Sequence, residues 1–167
     1  MANTNKFQGL SRGPIDHKSS SVINQVSNGS IDMGGVVSTT TTIQSSETLP
    51  RVSQTTSPGG RAYGIAVGGD IDGIYGDGST STDDSTRATN AAGQGVVVVT
   101  QGRCLAKVNA ITSDVAIGDE LSNLTTSGVL TQSTSITDIV IARALNTVTT
   151  GDTDMIAVDV QREGLFT

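Results

Sequence analysis

The chain has no tryptophan, only two phenylalanines and two tyrosines, and a single histidine and a single cysteine. Each shortage excludes something. With no second cysteine there is no internal disulfide, and Cys104 is expected to be an inert buried strand residue, because free cysteine is among the most buried residue types. The one histidine, His17, stands between Asp16 and Lys18 in a polar stretch. It has no second His or Cys with which to build a zinc set, and a polar leader does not hold the geometry that general-base catalysis needs. None of the hydrolase, kinase or phosphate-loop spacings occurs. The chain is therefore expected to be no enzyme and to need no cofactor. Few aromatics also mean no stacking platform for single-stranded nucleic acid and no tryptophan platform for sugars. No run approaches the roughly 18 apolar residues of a membrane span, and no apolar segment follows a basic start at the N-terminus, so neither a membrane span nor an export signal is expected.

What is present points to strands. Thr, Ser, Gly, Val and Ile are abundant while Leu, Glu and Lys are sparse, a balance that disfavours helix and suits short strands joined by frequent turns. The expected class is all-β. A core limited to Val, Ile, Leu and Ala is thin for a chain of this length, and burial against partner subunits is the usual remedy. The charge is uneven. Residues 1–61 hold Lys6, Arg12, Lys18, Arg51 and Arg61 against Asp16, Asp32 and Glu47, whereas residues 62–167 hold five basic residues against eleven Asp and two Glu, within a net charge of −6. An acidic body repels phosphate backbones, so nucleic acid is not an expected partner.

Composition divides the chain at the Ser57-Pro58-Gly59-Gly60 cluster. Residues 1–60 form a Ser/Thr/Gln/Asn/Gly-rich run whose apolar residues come singly or in short pairs, too few to offset the entropy of ordering it. The expectation is an extended N-terminal arm laid on another subunit's surface. Within it the β-branched stretch Val36 to Ile43 suits strand addition to an exposed edge. That makes Val36, Val37, Thr40, Thr42 and Ile43 the expected protein-interface residues, with Arg51 as a basic contact on the same arm.

Residues 61–167 read as a body of short strands. Arg61 to Gly68 places Tyr63, Ile65 and Val67 on one face. The Gly- and Asp-rich run from Gly69 to Gly93 reads as turns and a loop. Four consecutive valines, Val96 to Val99, suit a strand covered on both faces, and Arg103 to Asn109 is either its hairpin mate or the same strand continued past a bulge at Gly102. Ala116 to Leu121 contains a Gly-Asp turn, Gly128 to Thr131 is a short strand behind a glycine, and the β-branched content of Ile139 to Leu145 favours strand over helix. In the last strand Ile156, Val158 and Val160 alternate with Ala157, Asp159 and Gln161, giving one buried and one wet face. Short strands at this spacing indicate a small barrel or sandwich, and a compact barrel fits best.

One loop raises metal chemistry. Asp70, Asp72 and Asp77 lie in a glycine-rich stretch and could coordinate calcium, but Ile74 and Ser81 stand where an EF-hand loop would place oxygen ligands. Asp and Gly are also what tight turns use, and turns are the stronger reading.

The order of segments GIAVGGDIDGIYGDG, GQGVVVVTQGRCLAKV, AIGDELSNLTTSGVLTQ and IVIARALNTVTTGDTDMIAVDV resembles that of the head-decoration, or capsid cement, proteins of tailed bacteriophages. The likeness covers most of residues 61–167 and leaves out the arm. It implies a β-barrel or β-tulip-like domain that forms homotrimers on the capsid surface of the virion, made in the host cytoplasm, with the major capsid protein as partner and no catalytic residues. The rival reading is a tail-fibre or host-recognition module, also β-rich and non-enzymatic, although the chain lacks a repetitive shaft.

Overall fold

A computed structural model describes residues 21–40, 51–56, 62–69, 89–90, 95–125 and 127–161. They form eleven strands and, among the described residues, no helix. In chain order these are β1 (Ser21–Val26), β2 (Ile31–Asp32), β3 (Val36–Thr39), β4 (Val52–Gln54), β5 (Gly64–Gly69), β6 (Thr89–Asn90), β7 (Gly95–Asn109), β8 (Glu120–Ser122), β9 (Thr131–Gln132), β10 (Val140–Ala144) and β11 (Thr153–Val160). Nine of them build one curled sheet in the order β4-β3-β5-β7-β11-β10-β8-β9, with β1 also on β7; β2 and β6 pair separately. All these strand pairings are antiparallel. The all-β class read from composition is the class observed.

The long strand β7 is the spine. Its first half pairs with β1 and β5, both of which meet Val96 to Val99 and so flank opposite edges. Its second half pairs with β11, from Gly102↔Val160 to Asn109↔Thr153. The change of neighbour falls at Gly102, whose φ of 94° is a conformation that glycine adopts without a Cβ penalty. Of the two readings of Arg103 to Asn109, continuation of the same strand is the one observed.

Two cores lie on the two faces of the β3-β5-β7 layer. Val36, Ile65, Val67 and Val99 join the larger cluster with Cys104, Leu121, Leu130, Ile141, Ile156 and Val158. Val37, Ala66, Val96 and Val98 face the other way, with Ile31 and Val52. Alternation along a strand sends neighbours to opposite faces, so four consecutive valines are all used because each face has its own core. In β11, Ile156, Val158 and Val160 are buried while Ala157 and Asp159, with Gln161 just after the strand, are half-buried. Cys104 is fully buried, and desolvation, with the Asp159 charge second, pushes its thiol far above the ordinary range.

The far end of the sheet returns to the spine. Leu130, just before β9, donates its N–H to Lys107 O at 3.0 Å and accepts from Asn109 N at 2.8 Å. Strands β7, β11, β10, β8 and β9 are thereby joined into a ring, which removes two open edges.

The division at residue 60 needs correcting where it can be seen. Strands β1, β3 and β4 all lie before it, yet β3 pairs with β5, β4 with β3 and β1 with β7. These residues are held in the sheet because the body offers strand edges for backbone pairing, while the segment itself supplies a few well-placed apolar side chains, Ile31, Val36, Val37 and Val52, to the two cores. Gly34 shows how closely the layer fits. It donates to Ala66 O at 2.7 Å and accepts from Lys107 N at 2.9 Å. With φ at 74°, a Cβ there would stand 2.7 Å from Lys107 N and 2.6 Å from Met155 Sδ.

Candidate functional site

The expected interface residues do not form an exposed site. Val36 and Val37 are both fully buried, one in each core. Their strand, β3, pairs with β4 along one edge and, at Val36 and Val37, with β5 along the other, so these two valines present no edge for strand addition. Burial within the chain is the physical reason that this part of the expectation is corrected. Thr40 and Arg51 are half-buried and joined by a hydrogen bond from Thr40 N to Arg51 O at 2.7 Å. Thr42 and Ile43 lie outside the described residues, as do His17 and the calcium candidates Asp70, Asp72 and Asp77.

The N-terminal layer is tied to the barrel through Gln54. Its Oε1 accepts from Asp32 N at 2.8 Å, and its Nε2 donates to Ser127 O. Beside it, Val36 N donates to Gly128 O at 2.7 Å and Thr55 N to Val36 O at 2.9 Å. One side chain thus fixes two backbone segments at once.

The exposed features gather elsewhere, on the loops that follow β7 and β9. Among the described residues the large apolar side chains left to solvent are Ile111, Ile117 and Ile136, at 53%, 69% and 104% of full exposure, and the partly covered Ile23. Each of the first three stands on a turn clamped by an aspartate. Asp114 accepts from Thr150 Oγ1 at 2.6 Å and Thr150 N at 2.7 Å, fastening the Ile111 loop to the β10–β11 connection. Asp119 accepts from Ala116 N at 2.9 Å and from Gln132 Nε2 at 2.8 Å, closing the turn that carries Ile117. Asp138 accepts from Thr134 N at 2.8 Å, Ser135 N at 2.9 Å and Ser133 Oγ at 3.2 Å, closing the turn that carries Ile136. Hydrogen bonds to the ionised form hold the Asp114 and Asp138 carboxyls below the usual range, from the Thr150 hydroxyl and amide in one case and chiefly the Thr134 and Ser135 amides in the other.

The loops are also linked to one another. Ser113 Oγ donates to Gln132 Oε1 at 2.6 Å, Gly118 N to Ala144 O at 2.8 Å and Ser133 N to Glu120 O at 2.8 Å. The arrangement offers charge and apolar contact. Among the described residues no group of three or more His, Cys, Asp or Glu is placed to hold a metal ion. Sequence reasoning missed these tips, although the signal is written in it as Ile111-Thr-Ser-Asp114, Ile117-Gly-Asp119 and Ile136-Thr-Asp138. In each an isoleucine precedes, by two or three residues, an acid able to close a turn.

No protein-family model matches the sequence, and no curated protein matches it. Among solved structures the fold is similar to that of the N base of the head fiber gp8.5 of bacteriophage phi29, with a TM-score of 0.51 at 10% identity over 86% of this chain and 95% of that one. At that identity the likeness is one of fold.

Proposed function

We propose that the chain is a structural protein of a tailed-phage virion, binding the assembled icosahedral capsid from outside as a non-enzymatic decoration or cement protein. The observation that carries the reading is the fold shared with a phage head-fiber base over 86% of the chain, joined to the segment order that resembles decoration proteins. A protein that binds the assembled shell and not its loose subunits stabilises the shell by mass action, and a homotrimer multiplies each weak contact through effective concentration. Strands β1, β3 and β4 are engaged in the chain's own sheet, so the role of an arm laid over the major capsid protein falls to other residues of the N-terminal segment.

A second reading, the base of a head fibre, is favoured by the fold likeness to the phi29 head-fiber base. The two separate on copy number. Purified particles should hold the chain in near-equal number to the coat protein if it is a cement, and in a small fraction of that number if it is a fibre base. Particles lacking a cement should also melt at lower temperature; equal robustness would count against reinforcement, and absence of the chain from particles would remove both readings.

A further inference from the structure

We propose that the loop end of the barrel, with Ile111, Ile117 and Ile136 as apolar tips, is the face that docks, and that its partner is a protein surface offering apolar pockets among lysines and arginines. The inference rests on the capsid-binding reading, with the shell as that surface.

Three observations converge. Single exposed apolar residues need no explanation, but here the three most exposed large hydrophobics among the described residues stand on linked loops. Each tip is also held in place beforehand. An aspartate closes or anchors each turn, so little loop entropy is lost on docking, which is how rigid contacts gain affinity.

Charge then selects the partner. Over residues 110–154, which carry or adjoin these loops, the chain has Asp114, Asp119, Glu120, Asp138, Asp152 and Asp154 against one cation, Arg143, whereas Asp159 lies farther along β11 opposite Arg103. Arg143 already bonds Glu120 at 2.7 Å. An acidic fringe around apolar tips is complementary to a basic surface with hydrophobic recesses. It repels a second copy of itself, and it repels nucleic acid.

The experiment uses empty shells assembled from the coat protein encoded alongside the chain, the full-length chain, and the triple variant Ile111→Ser, Ile117→Ser, Ile136→Ser. The expected result is saturable binding by the native chain that weakens with salt, and a roughly tenfold or greater loss in the triple variant with its melting transition retained. Should the triple variant misfold, Ile136→Arg tests the same face at a fully exposed position, and it too should weaken binding. Unchanged binding by folded variants would overturn the docking face while leaving the capsid reading intact. A change in the free chain's sedimentation, without a change in shell binding, would show that a second copy covers the tips and would overturn it as well. No binding by the native chain would bring down the capsid reading and this inference together.

Discussion

Residues 95–161 and residues 21–69 share one sheet but are held in it by different means. The first region closes on itself: β7, β11, β10, β8 and β9 form a ring completed by Leu130, around a core whose side chains come largely from these strands. Among its described residues the second forms no such ring. Its strands are short, mostly polar outside β5, and they stay in place by pairing with β7 or with one another, by the close seat of Gly34 and by the Gln54 bridge. The dependence runs both ways. Without Ile31, Val37 and Val52, the face of β7 that carries Val96 and Val98 would lose its cover. The difference teaches that a segment too polar to fold alone can still be an integral layer, provided a neighbour offers it both an unfilled edge and an apolar face.

The strongest way to break this comparison is to delete residues 1–60. If the layer is integral, the remaining chain should lose its cooperative melting transition and expose apolar surface; a deletion product that melts like the full chain would make the segment a mere appendage. Next comes Gly34→Ala, which forces a side chain into left-handed backbone against Lys107 and Met155. The expected loss is on the order of 3 kcal/mol in denaturant unfolding. Gln54→Ala removes the bridge between the two regions and should cost about 1–2 kcal/mol, with faster amide exchange at Asp32.

The smallest effect sharpens the contrast at the loop end. Asp114 and Asp138 have folded pKa values depressed below their unfolded ones. Their contribution is present above the unfolded value and is lost as pH falls through the folded one. As pH falls from about 4 through the lower folded values, the amides of Thr134, Ser135 and Thr150 should lose protection relative to their intrinsic exchange rates while those of the ring keep theirs. Equal protection at low pH would mean that the carboxylates do not fasten these turns.

Much of the ring was legible in the sequence. Alternation in Met155 to Gln161, the valine run and the Gly-Asp turn before Leu121 each named a strand or turn now seen. The N-terminal layer was not legible as part of the body, because Val36, Val37 and Val52 are isolated among polar residues and their burial comes from strands far along the chain. The β2–β6 pair was missed for the same reason, since Ile31↔Asn90 joins residues with no local pattern. The expected interface at Val36 and Val37 mistook core valines for contact residues: β-branched content marks a strand without telling which side is covered. The aspartate-clamped isoleucines were readable as turns, but the link between their loops comes from long-range contacts, the Gln132 side chain bonding both Ser113 and Asp119.

The central claim is that both regions form one cooperative unit organised on β7, and native-state hydrogen exchange tests it most directly. The amides of Val36, Thr55, Tyr63 and Ala66, which donate within the N-terminal layer or across to the barrel, are to be compared with those of Asn109, Leu130 and Leu145 in the ring. The account predicts one shared opening free energy, equal to that of global unfolding. Fast exchange of the first set beneath a fully protected second set would contradict it.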